Sequence, residues 1–354
     1  MPAAIPVEYQ YPFASLPESG AAVRAAPGVH WIRMRLPFEL DHINLWLLED
    51  EGGWTIVDCG IADDATRSAW ERIFADQLGG RPVHRVLVTH YHPDHAGNCA
   101  WLCERFGAVP WMSRGEYLTA HAARGGTAGY SAAAQRALFR AHGLAEPHSV
   151  ALLRRGDLYR KLVPEFPSGH RRLLDGERIA IGGRVWQVIV GYGHAPEHVS
   201  LYCEQTKVLI AGDMLLPKIS THVAVRPVDP WSDPLKVFLG SIRRYRELPA
   251  DTLVLPSHGQ PFRGAHERVA ALEAHHEARL AELLGACAAG PRCAADVLEV
   301  LFRRRLDGNQ IFFAMGEAIA HLHRLYYEGR LSRAVGADGV VRFARAAAEA
   351  TQTR

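Results

Sequence analysis

Residues 86–95 constrain this chain more than any other stretch. They are VLVTHYHPDH, a β-prone run followed by three histidines and an aspartate within six positions. The proline inside the cluster is expected to prevent a helix there, so the polar side chains should lie in a turn after a buried strand. In an extended chain, residues two apart point the same way. His90 and His92 can therefore bind one metal ion, while Asp94 and His95 turn towards a second.

A histidine-rich loop that arose by chance is the simplest alternative, because the chain has 19 histidines among 354 residues. Chance explains isolated pairs, but not an H-x-H-x-D-H motif directly after an apolar strand. The motif resembles that of the metallo-β-lactamase superfamily of metal-dependent hydrolases. The resemblance extends over residues of about 25 to 265 and implies a four-layer αβ/βα sandwich.

Composition argues against several classes of partner. Forty basic and 38 acidic side chains give a net charge of +2, so no long-range field directs the chain to nucleic acid or to an anionic membrane. The N-terminus lacks the pattern of a secretory signal, and no run of about 18 apolar residues could cross a membrane. The six cysteines form no tight C-x-x-C pair, and we interpret them as reduced thiols of a cytoplasmic protein.

Apolar periodicity predicts an α/β fold. The predicted strands are 29–36, 42–49, 54–59, 81–89, 177–181, 185–190, 207–213 and 252–258. Helices are predicted at 63–78 and 96–106, between the early strands. The resulting order of strand, helix, strand, helix is typical of layered α/β proteins.

A predicted insert, residues 115–170, interrupts a catalytic domain that spans residues 1–264. The insert contains glycine-rich spots and one helical run at 131–142. In the resembled superfamily, inserts at this place typically roof the active site, which implies a role in substrate choice. The alternative is a surface decoration that only packs on the domain.

Residues 265–354 form a predicted C-terminal domain that is helical and winged-helix-like. Helical periodicity covers 269–284, 294–304 and 311–328, and a hairpin turns at Asp338-Gly339. The apolar residues of these helices predict packing against the catalytic domain or against a second subunit of a homodimer. Residues 303–305, all arginine, are interpreted as a solvated helix end, with phosphate binding as the alternative.

Ligand-type side chains recur where other strands end. Asp58 ends an apolar strand, where an unpaired carboxylate is costly. Asp213 ends another, and one carboxylate can offer an oxygen to each of two cations. His258 repeats the design and completes a second ligand set with Asp94 and His95. A stable core requires none of these residues.

The resemblance assigns the remaining roles. The loop GYGHAPEH, residues 191–198, is similar to a signature of the superfamily, which implies that His194 is the third histidine of the first ligand set. His198 is interpreted as a structural or supporting residue. Asp58 matches an aspartate that orients a metal-binding histidine, because a bound imidazole usually donates its other N–H to a carboxylate. The predicted metal ligands are His90, His92, Asp94, His95, His194, Asp213 and His258.

Seven ligands in two sets predict two divalent ions. Two such ions lower the pKa of a shared water towards neutrality, and one of them polarises the substrate oxygen. We therefore expect hydrolysis of a carbonyl or phosphoryl compound by a metal-bridging hydroxide, with Asp94 as the catalytic residue that holds or accepts a proton. Zinc fits nitrogen-rich ligand sets best, while iron and manganese stay open.

Two hydrolase classes remain as hypotheses. The first is a hydrolase of a small-molecule thioester, ester or lactone, similar to glyoxalase II, the hydroxyacylglutathione hydrolase. The second is a phosphodiesterase similar to the tailed endoribonucleases of the superfamily. The near-neutral charge favours a small-molecule substrate over nucleic acid. Leu216 stands where quorum-sensing lactonases generally have tyrosine, which argues against their specific reaction. His92 stands where the redox-active flavodiiron members usually have glutamate, which argues against a redox function.

Overall fold

The computed structural model describes residues 9–146, 148–151, 153 and 158–347. Residues 1–8 and 348–354 of the predicted domains, and residues 147, 152 and 154–157 of the predicted insert, lie outside the described residues. In the part described, two facing sheets have helices on their outer sides, and a helical region follows. This arrangement confirms the predicted α/β fold with four layers.

Seven strands of the described residues form the N-terminal sheet, in the order β1 to β7. They are β1 Ala22–Ala26, β2 Val29–Arg35, β3 His42–Asp50, β4 Gly53–Val57, β5 Val83–Leu87, β6 Pro110–Met112 and β7 Arg171–Arg172. Strands β1 to β4 pair antiparallel, and β4 to β7 pair parallel. All of β4 is buried because the sheet is covered on both faces.

The second sheet has six strands in the described chain, in the order β13-β12-β11-β10-β9-β8. They are β8 Arg178–Ile181, β9 Arg184–Gly191, β10 His198–Cys203, β11 Val208–Gly212, β12 Leu253–Pro256 and β13 Phe262–Arg263. Strand β10 runs antiparallel to both β9 and β11, and β12 runs parallel to β11. The carboxyl ends of β9, β11 and β12 therefore lie at the same edge.

The two sheets pack face to face through large apolar side chains. Trp31 and Trp46 of the first sheet stack with ring centroids 6.4 Å apart, in one cluster with Val188, Leu201 and Ile210 of the second. Such side chains alternate along each strand with those of the opposite face. This inner layer holds the strand ends of both sheets next to each other.

The helices cover the outer faces of the sheets. They are α1 Asp64–Asp76, α2 Pro93–Ala96, α3 Cys99–Phe106, α4 Arg114–Gly125, α5 Ala132–Ala141, α6 His148–Ala151, α7 Leu158–Leu162, α8 Pro234–Arg243, α9 Ala265–Ala288, α10 Leu298–Leu301 and α11 Gly308–Tyr327. Asp63 caps α1 by accepting a hydrogen bond from the Thr66 N–H at 2.7 Å. Trp70 and Ile73 then lie on one face of that helix, buried against the first sheet.

The C-terminal helices pack against the outer face of the second sheet. Met315 and Leu322 of α11 and Leu280 of α9 share one apolar cluster with Phe238 of α8 and Phe262 of β13. The chain then forms a hairpin from β14 Leu331–Val335 and β15 Val341–Arg345. In the described part of the chain, no helix is both long and apolar enough to cross a membrane.

Two local predictions are wrong. Pro93 does not prevent a helix: it opens α2, because the first position of a helix needs no N–H donor and its φ suits proline. The helix predicted at 294–304 is reduced to a 3-10 turn at Ala295–Val297 and to α10. Residues 303–305 therefore follow a helix end that lies at Leu301.

Gly97, directly after α2, is expected to be intolerant of any side chain. A Cβ atom at this position would lie 2.6 Å from the Gly60 carbonyl oxygen and 2.7 Å from backbone atoms of Ile61 and Ala62. We expect Gly97→Ala to lower the free energy of unfolding by roughly 2 to 3 kcal/mol, since backbone cannot yield as a side chain can. Gly285→Ala, at an exposed and unobstructed position of α9, should instead raise it by about 0.5 to 1 kcal/mol. Urea unfolding of both variants is the measurement, and equal effects would contradict the prediction.

His142 is expected to make the protein sensitive to acid. Burial, together with the neighbouring His323 and Arg333, lowers the pKa of His142 to about 4. Its pKa in the unfolded chain is about 6.5, so the unfolded state binds the extra proton and stability falls as the pH falls from 6.5 to 4. The loss attributable to this residue should approach about 3 kcal/mol at pH 4.

The measurement is the free energy of unfolding at several pH values. His142→Gln should flatten the acid limb of the stability curve relative to the wild type. His84→Gln, at an exposed histidine of β5, should leave the limb unchanged. An unchanged limb in the His142 variant would show that other groups cause the acid sensitivity.

Candidate metal centre

The structure brings all seven predicted metal ligands together in two adjoining groups. The first contains His90, His92, His194 and Asp213, and the second contains Asp94, His95 and His258. Within each group, one nitrogen or carboxylate oxygen of every residue lies within 4.8 Å of the others. All seven are buried or half-buried.

In the first group, the donor atoms surround a space of the size of one ion. His90 Nε2 lies 2.8 Å from His92 Nδ1 and 3.2 Å from His194 Nε2. Asp213 Oδ2 lies 3.3 Å from His194 Nε2 and 3.9 Å from His90 Nε2. Ligand atoms about 2.0 Å from a tetrahedral zinc ion are separated by about 3.3 Å, so these distances fit such an ion.

The second group is joined to the first through Asp213. Its other oxygen, Oδ1, lies 3.4 Å from both His95 Nε2 and His258 Nε2. Asp94 Oδ2 lies 3.6 Å from His95 Nε2 and 3.4 Å from His258 Nε2. Asp213 thus directs one oxygen to each group, which is the arrangement of a bridging carboxylate.

The ligands converge because each follows the end of a strand. His90 comes shortly after β5, and α2 then turns Asp94 and His95 towards the same place. Asp213 directly follows β11, and His258 lies two residues after β12. These ends meet at one edge of the facing sheets, so residues that are distant in sequence become neighbours.

The outer nitrogens of four ligating histidines are held by oxygen atoms. His95 Nδ1 lies 2.8 Å from Asp58 Oδ2, and His90 Nδ1 lies 3.1 Å from Thr89 Oγ1. His194 Nδ1 donates to the carbonyl oxygen of His222 at 2.7 Å, and His258 Nδ1 donates to that of His42 at 2.8 Å. Such partners fix the proton on the outer nitrogen and leave Nε2 free to bind a metal.

Asp58 lies where the sequence resemblance placed it, directly behind a ligand. Besides His95, its carboxylate accepts hydrogen bonds from the backbone N–H and the hydroxyl of Thr89, both at 2.8 Å. Its φ of 64° is in the left-handed region, which is strained for a residue other than glycine. The hydrogen bonds offset this strain and connect the end of β4 to the loop that carries the first ligands.

His198 lies beneath the centre and supports it through the backbone. His198 Nε2 accepts the backbone N–H of Asp213 at 3.1 Å, and its ring centroid is 4.8 Å from that of His90. A Cβ atom at Gly212 would collide with the same nitrogen, so only glycine fits there. The supporting role suggested for His198 stays a prediction.

Burial keeps three of these histidines in the neutral form. It lowers the pKa of His90 and of His92 well below the ordinary value, with further lowering from neighbouring histidines, and it lowers that of His198 in the same way. Burial would also lower the pKa of His95, but the carboxylates around it, Asp58 first, raise it well above the ordinary value. Neutral imidazoles beside ionised carboxylates are the forms that bind a divalent ion.

Two buried atoms at the junction of the groups test whether the site suits metal ions. His95 Nε2 and Asp213 Oδ1 are inaccessible to solvent, and within the described residues neither has a hydrogen-bond partner. A buried polar atom without a partner costs free energy, and here both point to the junction of the two ligand groups. Divalent ions would satisfy both, so the residues present fit them.

Glu116 is a buried residue that connects two loops by hydrogen bonds, a role that no sequence pattern indicated. It accepts the backbone N–H of Tyr91, between two ligands, at 2.9 Å and that of Glu197 at 2.6 Å. Burial raises the pKa of Glu116 to about 7. The residue lies at the start of the predicted insert, where Tyr159 also donates its hydroxyl to the Tyr91 carbonyl oxygen at 2.6 Å. The insert therefore packs directly on the metal loop.

Residues 217–233, here called the connecting segment, were also missed because they lack a regular pattern. Thr221 donates its hydroxyl to the backbone oxygen of Asp213 at 2.6 Å, and the carbonyl oxygen of His222 holds His194. The segment is attached to the C-terminal region in turn, since Val225 N donates to the Gly316 oxygen of α11 at 3.1 Å. The C-terminal region thus supports the metal centre indirectly.

The fold and ligand geometry define a metal-dependent hydrolase class, and sequence comparison agrees. The model of the metallo-beta-lactamase superfamily matches residues 39–258, more than half of the chain. A second family model, described as the metallo-beta-lactamase-like C-terminal domain, matches residues 280–346. The chain belongs to the metallo-beta-lactamase superfamily.

Individual relatives cover nearly the whole chain. A beta-lactamase domain protein from Burkholderia ambifaria, known from a crystal structure, is 50% identical, with a TM-score of 0.90 over 96% of this chain and 98% of its own. A metallo-beta-lactamase family protein from Thermus thermophilus is 32% identical, with a TM-score of 0.76 over 90% of this chain and 99% of its own. The probable metallo-hydrolase YqjP of Bacillus subtilis (strain 168) is 23% identical over an alignment of 322 residues, which covers 84% of this chain and 92% of the relative.

Proposed function

We propose that the protein is a dinuclear metal-dependent hydrolase of a small-molecule thioester, ester or lactone, similar to hydroxyacylglutathione hydrolase. The observation that carries the proposal is the position of Asp213, which directs one carboxylate oxygen to each ligand group. Bound divalent ions would supply a water of lowered pKa as the nucleophile and a Lewis acid for the substrate oxygen. Five of the seven ligands are imidazoles, which favours zinc, with iron and manganese as the alternatives.

Asp94 is the proposed proton acceptor. Its carboxylate contacts the second ligand group, and 19% of its side chain is exposed to solvent. A carboxylate in this position can hold the nucleophilic water in place and take its proton. The other carboxylate of the ligand set, Asp213, is more deeply buried.

Two of the three arginines that would support a nuclease form ion pairs with carboxylates. Arg303 pairs with Glu282 at 2.9 Å, and Arg304 pairs with Glu39 at 3.0 Å. Each pair is exposed and weak, but it cancels the charge that would attract a phosphate. This favours a small molecule over nucleic acid. All six cysteines are free thiols, which supports a reducing compartment such as the cytoplasm.

The test is a hydrolysis screen of the zinc-loaded protein. The substrates are acyl-CoA and glutathione thioesters, lactones and bis-p-nitrophenyl phosphate. We expect turnover of at least one acyl substrate, and no salt-dependent binding to RNA near physiological ionic strength. Turnover of the phosphodiester alone, with RNA binding that is lost when residues 303–305 become alanine, would favour the endoribonuclease class instead.

A further inference from the structure

Arg226 of the connecting segment lies beside the first ligand group with its charge unpaired. Its Nη2 is 3.2 Å from His92 Nε2, and its guanidinium carbon is 5.9 Å from the ring centroid of Tyr91. The side chain is half-buried, and in the described part of the chain no carboxylate forms an ion pair with it. Burial raises the pKa of Glu116 and the charge of Arg226 lowers it, but the two residues form no ion pair, and both Glu116 oxygens already accept backbone N–H groups.

His92 differs from the other four ligating histidines in the partner of its outer nitrogen. Its Nδ1 faces the ligand group, 2.8 Å from His90 Nε2, so its Nε2 points away from the centre. A neutral imidazole that gives Nδ1 to a metal carries its proton on Nε2 and needs an acceptor there. Arg226 offers only donors. When His92 binds a metal through Nδ1, its Nε2–H group and the Arg226 guanidinium are two donors that face each other. The described residues offer no acceptor between them.

The charge of the site leads to the same conclusion. Among the described residues, the carboxylates that pair with the ligating histidines are those of Asp58, Asp94 and Asp213. Three carboxylates and a bridging hydroxide would together balance the four positive charges of two divalent ions, so the positive charge of Arg226 is left without a counterion. A half-buried arginine without a counterion, next to a metal centre, attracts an anion.

We propose that Arg226 and the outer N–H of His92 together bind a carboxylate group of the substrate, which makes Arg226 a specificity-determining residue for acidic substrates. One carboxylate oxygen would accept from the guanidinium and the other from the imidazole, so that one anion would satisfy both donors through charge-assisted hydrogen bonds. The role of Arg226 in substrate choice rests on the proposed hydrolase function. The binding of an anion by Arg226 and His92 does not require that function.

The activity test compares thioesters that differ only in one carboxylate. The acyl pair is the glutaryl and pentanoyl thioesters of N-acetylcysteamine, and the thiol pair is S-acetylthioglycolate and S-acetyl-2-mercaptoethanol. The wild type should prefer the acidic member of at least one pair by roughly 10- to 100-fold in kcat/KM, mainly through KM, since a hydrogen bond to a charged group contributes this much. Arg226→Met should abolish the preference, and Arg226→Lys should retain part of it.

A binding test gives a readout that does not depend on turnover. Calorimetric titration of the zinc-loaded protein with glutarate and with pentanoate should show tighter binding of glutarate, because its second carboxylate reaches Arg226. The difference should vanish in Arg226→Met at unchanged zinc content and melting temperature. Arg178→Met, at an exposed arginine of β8, is the matched control and should bind like the wild type.

The outcomes separate the two proposals. Hydrolysis with equal rates within both pairs, and no Arg226-dependent glutarate binding, would overturn the anion site and leave the hydrolase proposal standing. Arg226-dependent glutarate binding without hydrolysis of any acyl substrate would support the anion site and overturn the proposed reaction. If Arg226→Met fails to fold, Arg226→Lys decides the matter: a smaller preference than that of the wild type in both tests, at unchanged zinc content, would support the site, and a preference equal to that of the wild type would overturn the role of Arg226.

Discussion

Asp213→Ala should abolish turnover and release metal from the centre. The substitution removes one oxygen from each ligand group and leaves six histidine and aspartate ligands that no residue joins across the two groups. A bound metal contributes several kcal/mol to transition-state stabilisation, so its loss should lower kcat/KM by roughly 1000-fold or more. Elemental analysis after metal reconstitution should find close to two ions in the wild type and at most one in the variant.

The control for this prediction is Asp251→Ala. Asp251 is an exposed aspartate near the start of β12 that pairs with Lys207 and contacts no ligand. It should retain full metal content and activity. Full activity in the Asp213 variant, or at most one ion in the wild type, would disprove the bridging role.

Asp58→Asn should lower the affinity of the second ligand group for its metal ion without unfolding the protein. Asparagine tolerates the left-handed conformation at φ 64° and can still accept the Thr89 N–H, so the strand end should keep its shape. The negative charge that holds His95 is lost, and partners of this kind typically contribute 10- to 100-fold in metal affinity or activity. We expect a loss of about this size.

The measurement is a zinc competition titration together with the free energy of unfolding. Asp63→Asn is the matched control, because asparagine caps a helix as well as aspartate and Asp63 caps α1 away from the centre. An unchanged affinity for the second ion in the Asp58 variant would show that His95 is oriented by other contacts, such as its 3.2 Å contact with Thr89.

The residues changed in these two mutations were predicted from local sequence patterns. The H-x-H-x-D-H motif predicted its ligands because residue type and a spacing of two residues decide which side chains can reach one ion. The strand ends at Asp58, Asp213 and His258 were recognisable for a similar reason: a polar side chain directly after an apolar run must have a partner. These signals span only a few residues.

The sequence by itself thus determined the fold class, the superfamily and the set of candidate ligands. The tertiary structure alone decided which histidine nitrogens each Asp213 oxygen faces, how Glu116 connects two loops and which partner the outer nitrogen of His92 has. The contact between Arg226 and His92 joins residues 134 positions apart. No periodicity of a strand or helix carries information over such a distance, because the contact depends on how the connecting segment is fixed between the second sheet and α11.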